Sequence, residues 1–551
     1  MNQRFLNALQ LLFCVLAFSY TIKAQRVVSL LDGIQVDSIL QAKPWASKMA
    51  FDPISKHLFY TSSSGNIYEV FEAIQTDSLR YSSVDHGIAK VQGLCFVDST
   101  LFVCGNIWYT STGIGLVVKG ELQPNGTREW TTILSTAAYP TSSASGDHGF
   151  TGISADPQKA YLYFSAGART SFGEVVTNNG QYPGMREQAL TSKIFRIPIS
   201  ATNIYLYNDS TWLHDSGYVF AEGTRNAYSM AFNGENQLFA IDNAGERDDP
   251  EELNLIIEGQ HYGFPWRIGG NANPLINPNY DASSDPLINP NNGAFLAGHF
   301  APDPSFPAQP SGINFKEPIA NYGTAADYFK DEATGTIQKA SEIGIPVRTF
   351  TAHRSPLGLV IDRDSLLGGP FCGNGLVLSF MPGGDSSGFS PISPWGSPCP
   401  FVDPSRELVL LQFVFDTITQ EYHLQTNNVV SGFYLPVDAV QVENAIYVIE
   451  NNGDLFKITL PKKVIEPNCF ASGLFVYPNP AQTAFAVYFP NPENASRYLE
   501  ITNVAGEVVY KSESFQTADF QLANLQIAKG SYLVSIVSHE GRLAQQKIVL
   551  L

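Results

Sequence analysis

Charge is scarce in this chain. Only 15% of its 551 residues are Asp, Glu, Lys or Arg, and the 33 basic residues are outnumbered by 51 acidic ones. The net charge of −18 makes nucleic acid and anionic membrane poor partners, because both call for a basic surface. Cysteine is scarce as well, six residues in all. No Cys-x-x-Cys-His occurs and no pair has zinc-ligand spacing, which removes covalent c-type haem and a structural zinc from consideration. Long apolar runs are missing. The run from Leu11 to Phe18 is too short to cross a bilayer comfortably, and no later run approaches the required length. What is abundant is apolar content, 44%, enough for large cores and an ordered chain.

The first segment, Met1 to Ala24, carries Arg4, the apolar run and a small residue before Gln25. It reads as a secretory signal cleaved at Ala24–Gln25, so an exported, soluble protein is expected. Five cysteines then remain: Cys95, Cys104, Cys372, Cys399 and Cys469. An oxidising compartment allows pairing. Cys95 and Cys104 flank the hairpin LCFVDSTLFVC and face each other if Ser99-Thr100 forms its turn. Cys372 with Cys399 is a plausible second bridge, which leaves Cys469 unpaired.

Six segments repeat one pattern: a short apolar strand, a polar turn, an aliphatic-aromatic strand and a Gly/Asn/Ser turn. They begin at Met49, Gln92, Phe150, Tyr228, Leu357 and Val437. Their strands are nearly continuous apolar runs, as in sheets covered on both faces. Units this small have to stack to bury those faces, and closing the stack into a ring hides the strand edges. A sandwich or solenoid uses the same strands, but large irregular inserts between copies favour a ring elaborated on one face. The expectation is an all-β six-bladed β-propeller over residues 25–462. Its main insert, Gly269 to Glu342, holds a local duplicate, PLINPNY and PLINPNN, and a loop of that length predicts a functional element or lid. After a linker at 463–470, residues 471–551 carry alternating strands with Gly and Asn turns, the pattern of a small Ig-like β-sandwich.

In that last segment Tyr477-Pro478-Asn479-Pro480, ITNVAGEVV, Gly530-Ser531-Tyr532 and the terminal KIVLL resemble the C-terminal sorting domain of the type IX secretion system. The resemblance implies engagement of that secretion machinery, passage of the outer membrane, and then surface attachment or release. Within the propeller, three clusters resemble the glucose/sorbosone dehydrogenase family, soluble quinoproteins that use pyrroloquinoline quinone (PQQ). These are Gly146-Asp147-His148-Gly149 with SAGART, Arg225-Asn226 with DNAGERDDPEELN, and His353-Arg354-Ser355-Pro356-Leu357-Gly358 with GFYLPVDAV.

The resemblance implies oxidation of an aldose sugar or related alcohol, with hydride passing to PQQ, calcium polarising the quinone, and electrons leaving to an external acceptor. The residue types suit that chemistry. A histidine takes up a hydroxyl proton near neutral pH, which makes His148 the expected base, with Asp147 orienting it or contacting sugar hydroxyls. His86, in a similar Asp-His-Gly, lies outside the matched position and is read as structural. Gln92 is a candidate substrate contact. PQQ carries carboxylates, which Arg forks bind at two points; Arg225, Asn226 and Arg354 are the expected cofactor residues, and His353 a neighbour. Calcium takes backbone carbonyls as well as carboxylates. The family uses a Gly-Pro pair for this, and the matching positions here are Ala244 and Gly245, without the rigid proline. Asp248, Asp249, Glu251 and Glu252 are alternative ligands or a solvated charge run. Two other classes stay open: a non-catalytic propeller that binds glycan or protein, favoured by the altered turn and the long insert, and a calcium-dependent lactonase-type hydrolase.

Overall fold

The computed structural model describes residues 26–463 apart from 63, 143–146, 297, 384–398 and 418, and most of 474–550 apart from 478–480, 482–483, 490–494, 504, 518, 524 and 540. The signal segment, Gly146 and Cys469 therefore lie outside the described residues.

Five of the six repeated segments fold into the first two strands of a separate sheet, and the fifth supplies the first strand, Pro356–Ile361, and ends where the second, Gly375–Ser379, begins. The first sheet holds Ala46–Phe51, Leu58–Ser62, Ile67–Phe71 and Thr76–Tyr81. The second opens with Lys90–Val97 and Thr100–Trp108, and the third with Phe150–Ala155 and Tyr161–Ala166. The fourth is built from Ala227–Phe232, Leu238–Asp242 and Glu252–Ile256. The fifth opens with Pro356–Ile361 and the sixth with Pro436–Val442. Gln35–Gln41 completes the sixth sheet by pairing with Asp454–Thr459, so the two ends of this part of the chain close one sheet. Second strands such as Leu58–Ser62, Leu238–Asp242 and Ala445–Glu450 are buried at every position, the consequence of sheets packed on both faces.

The first strand of each sheet packs on the first strand of the next, and the sixth sheet packs on the first. These contacts meet at one level along the strands. Met49 N–H donates to Asp438 Oδ2 at 2.7 Å, and a Cβ on Gly152 would stand 2.8 Å from Tyr228 O. A Cβ on Gly358 would stand 3.2 Å from Ala439 N. All six first strands therefore run in the same direction, and the residues that precede them gather at one end, here called the mouth.

Below the mouth the centre is filled by a lysine. Lys48, on the first sheet, donates from Nζ to Tyr228 O at 2.9 Å on the fourth, and lies 3.8 Å from Asp438 Oδ1 on the sixth. Its ammonium also sits 3.7 Å from the centroid of the Tyr228 ring. Burial pushes the Lys48 pKa down while Asp438 pulls it up. The pairing offsets the cost of a charge so far from water.

The insert is held against loops of the third and fourth sheets. Leu275, Tyr280, Ile288 and Phe300 pack with Phe172 and Phe264 in a separate core. Asn273 Nδ2 donates to Phe172 O at 2.6 Å, and Asn292 Nδ2 donates to Glu246 O at 2.6 Å. In the C-terminal part, a three-stranded and a four-stranded sheet share one core built on Val476, Val487, Leu499, Ile501, Val534 and Ile536.

Both expected disulfides need correction. The hairpin turns at Asp98-Ser99, one residue earlier than expected, with Val97 opposite Thr100 and Asp98 at φ 51°. Cys95 then faces Phe102, and Cys104 faces Gly93, so the two thiols cannot meet and both remain free. Cys372 is disulfide-bonded, but Cys399 retains its thiol, which points at Phe401 O from 4.0 Å; the bridge between those two is not formed.

Candidate functional site

The site is built from the residues that lead into the third and fourth sheets. His148 stands just before Phe150–Ala155, and Arg225-Asn226 just before Ala227–Phe232. The lead-ins are stitched together by backbone: His148 N–H donates to Ala168 O at 3.2 Å, Gly167 N–H to Gly149 O at 2.8 Å, and Ala168 N–H to Arg225 O at 2.6 Å. Gly167 has to be glycine, because a Cβ there would lie 2.4 Å from His148 Cβ and 3.2 Å from Asn226 Oδ1. Its bareness sets the imidazole beside the Asn226 amide.

His148 Nδ1 lies 3.3 Å from Ala168 O. A carbonyl only accepts, so Nδ1 carries the proton and Nε2 keeps its lone pair. Burial, and then the positive charges of Arg225 and Lys90, lower the His148 pKa to about 3. The ring is neutral at physiological pH, with one acceptor nitrogen.

Arg225 is buried, and its guanidinium donates to Ser171 O at 2.6 Å and to Asn243 O at 3.1 Å. Among the described residues it makes no ion pair. Asp242 accepts the backbone N–H of Arg225 at 2.7 Å and that of Asn226. Asn226 Nδ2 donates to Asn243 Oδ1 at 2.7 Å, and Asn243 Nδ2 to Pro356 O at 2.8 Å, which ties the fourth sheet to the fifth. Asn226 Oδ1 is buried without a donor. An acceptor in that state costs on the order of 1–3 kcal/mol, so it marks a place where a ligand's donor would be welcome.

Arg354 occupies the matching place before the fifth sheet but spends its charge differently. It is 2% exposed, donates from Nε to Ser379 Oγ at 3.0 Å, and pairs with Asp403 and with Glu407 Oε2, the latter at 3.2 Å. Two carboxylates satisfy this cation inside the protein, so it is not brought together with Arg225 and Asn226 as a receptor. Asp147 is likewise engaged: its Oδ2 accepts the N–H and hydroxyl of Ser142 at 2.6 and 2.9 Å, and burial raises its pKa to about 6. Gln92 Oε1 accepts from Asn106 Nδ2 at 2.9 Å, and Asn106 in turn brackets the backbone of Phe150. Both side chains brace the His148 loop.

The acidic stretch after Gly245 is neither solvated nor clustered. Asp248 takes His353 Nε2 at 2.6 Å and Lys330. Asp249 takes Arg247 and Asn271 at 2.6 and 2.8 Å. Glu251 accepts Ala244 N–H at 2.6 Å through one oxygen and Ser355 N–H at 2.8 Å through the other. Burial is the main cause that pushes its pKa up to about 7. Glu252 takes Gly269 N–H at 2.7 Å and Asn254 at 2.8 Å. Among the described residues no three His, Cys, Asp or Glu side chains group as a metal site. The exception to this full engagement is Glu246, beside Gly245, whose buried Oε2 has no donor.

Sequence reasoning missed Lys48, the Glu251 clamp and the packing role of Gly167. A lone lysine in the apolar strand ASKMAF was the available signal for the first. A groove of about 550 Å³, lined by Asp156, Tyr161, Tyr163, Phe220, Gln237 and Glu258, is elsewhere. It borders the turns after the first strands of the third and fourth sheets, the end opposite the mouth.

Residues 105–285 match the family described as glucose/sorbosone dehydrogenase, and residues 475–550 match the secretion system C-terminal sorting domain. The latter marks a protein exported by type IX secretion to the extracellular space or the cell surface. No curated protein matches the chain by sequence. Among solved structures, the soluble aldose sugar dehydrogenase of Escherichia coli in its apo-form is similar at 13% identity, covering 78% of this chain and 99% of its own, with a TM-score of 0.46. The holo PQQ domain of pyranose dehydrogenase from Coprinopsis cinerea is similar at 11% identity, with coverage of 79% and 97% and a TM-score of 0.47. A gluconolactonase from Xanthomonas campestris is similar at 9% identity, with coverage of 78% and 91% and a TM-score of 0.34.

Proposed function

We propose that the six sheets form a six-bladed β-propeller, spanning residues 25–462 of an exported chain, that binds PQQ at its mouth and oxidises an aldose or related alcohol. The Ig-like sandwich after residue 470 takes no part in the chemistry. The observation that carries this proposal is a neutral histidine, His148, set across Gly167 from the Asn226 amide, whose buried oxygen has no donor among the described residues, beside an arginine, Arg225, with no acidic partner among them. His148, Arg225, Asn226, Ala244 and Gly245 all fall inside the segment that matches the dehydrogenase family.

Each residue has a task. Arg225 neutralises a cofactor carboxylate, and its two carbonyl bonds hold the fork in one orientation. Asn226 Oδ1 accepts from the bound group. His148 Nε2 takes the substrate hydroxyl proton while Ala168 O holds Nδ1–H. Asp147 and Gln92 position the His148 loop rather than touch the sugar. Arg354 leaves the cofactor set, because Asp403 and Glu407 already balance it. Calcium would sit at the carbonyls of Ala244 and Gly245 with Glu246 as its acidic ligand. The quinone, when bound, supplies the hydride acceptor, and an external acceptor returns it to the oxidised state. A calcium hydrolase has less support, because the carboxylates at 248–252 are taken up by internal donors.

The test is a PQQ titration of the metal-stripped mature protein, with and without calcium, followed by absorbance and by thermal shift. Calcium-dependent binding by the native protein is expected. His148→Gln should bind PQQ about as well as the native protein yet lose on the order of 10²–10⁴ in turnover. An absence of binding under both conditions would sink the dehydrogenase and leave a binding module.

A further inference from the structure

The mouth has two unlike halves. The ring order sets the first sheet opposite the fourth and the sixth opposite the third, and Lys48 Nζ reaching Tyr228 O spans the first of these pairs. The third and fourth sheets bring His148, Arg225 and Asn226. The first and sixth bring aromatic rings at the corresponding places: Trp45 directly precedes Ala46–Phe51, and Tyr434 stands two residues before Pro436–Val442.

Trp45 is 63% exposed and Tyr434 39%. An indole this open to water buries little apolar surface, and its backbone is costly as well. Trp45 has φ 65°, in the left-handed region that bulky side chains avoid. The sixth sheet holds it there: Trp45 N–H donates to Asn451 O at 2.6 Å, Asn451 Nδ2 donates to Ala46 O at 3.2 Å, and Asn451 N–H donates to Leu435 O at 2.8 Å. One asparagine thus fixes the lead-ins of both aromatic residues. The Arg406 guanidinium lies 5.3 Å from the Tyr434 ring centroid and steadies that ring. Strain that is pinned in place, at an exposed aromatic residue that leads into a first strand, is a feature of ligand contact rather than of folding.

We infer that Trp45, supported by Tyr434, is the apolar wall of the substrate site and selects sugars in ring form, laying the C–H face of a pyranose against the indole while its hydroxyls face His148. The inference rests on the proposed sugar chemistry and deepens it. A cyclic sugar has an apolar face and a polar edge, which match the two halves of the mouth; an acyclic polyol has no such face and gains little from the indole.

The experiment is calorimetric titration of the mature protein with glucose, maltose and sorbitol, each with and without PQQ and calcium, on the native protein, Trp45→Phe and Trp45→Ala. Glucose affinity should fall about tenfold in Trp45→Ala and be largely kept in Trp45→Phe, with PQQ absorbance titrations unchanged in both. In the loaded enzyme the same loss should appear in KM for pyranoses and not in kcat. Unchanged glucose affinity in a Trp45→Ala protein that still binds PQQ would overturn the inference and leave the dehydrogenase proposal intact. Loss of glucose binding in Trp45→Ala, in a protein that never binds PQQ, would support the inference while removing the cofactor. Absence of sugar binding by the native protein in every condition would overturn it.

Discussion

Arg225 and Arg354 stand at equivalent places, each two residues before the first strand of its sheet, and the sequence offers no reason to treat them differently. The fold separates them. Arg225 donates to two backbone carbonyls and among the described residues pairs with no carboxylate, whereas Arg354 is enclosed by Asp403 and Glu407. An arginine before a strand becomes a receptor or a structural rivet according to where carboxylates arrive from, and those of Arg354 lie about fifty residues further along the chain. The backbone around Arg354 agrees with the structural role: His353 and Ser355 both have positive φ, 64° and 49°, and are held by Asp248 and Glu251.

This contrast is open to attack by mutation. Arg354→Ala leaves two buried acids facing each other, and a destabilisation on the order of 3–5 kcal/mol is expected, read as a large fall in Tm. A small fall would mean that the pair is not buried as described. Arg225→Ala removes two hydrogen bonds to buried carbonyls, for about 1–3 kcal/mol, a smaller change in Tm. It should instead weaken PQQ binding tenfold or more, and Arg225→Lys should not restore it, because an ammonium cannot hold the planar fork. If both variants lost stability alike and neither lost PQQ, the distinction would fail.

A subtler effect comes from the floor behind Arg225. Glu252 lies opposite Asp242 in the strand pairing, and burial together with that neighbour raises its pKa above the ordinary carboxyl range. A carboxyl whose folded pKa is raised contributes stability below its unfolded pKa and loses it as pH climbs toward the folded value. Thermal stability should therefore decline from mildly acid toward alkaline pH, and Glu252→Gln should flatten that slope. A slope unchanged by the substitution would place the titration elsewhere.

The parts of the fold that were legible from sequence are those set by local pattern. Five of the six repeats became the first two strands of a sheet, because an apolar run with a polar turn is a short-range instruction; in the fifth only the first strand matches, and the second, Gly375–Ser379, starts at the end of the repeat. The strand Gln35–Gln41 was not legible: QVDSILQ mixes polar and apolar residues, and its partner is more than four hundred residues away. The cysteine hairpin failed by one residue, since Asp98 adopts a left-handed turn conformation and shifts every partner beyond it. At the site, the family resemblance pointed to His148, Arg225 and Asn226. The acids at 248–252 were not legible, because a run of carboxylates looks the same in sequence whether water or buried N–H groups receive it. Here Ala244, Ser355 and Gly269 supply the donors.

The lysine across the centre has a consequence for timing. Lys48, Tyr228 and Asp438 meet across the centre below the mouth, so in the proposed function sugar and electron acceptor share the mouth as their way in and out. If the proposed function holds, the oxidised product has to depart before an electron acceptor can approach the reduced cofactor. The two half-reactions take turns, initial-rate plots at several acceptor concentrations run parallel, and a sugar that lingers on the indole slows the second half as much as it favours the first.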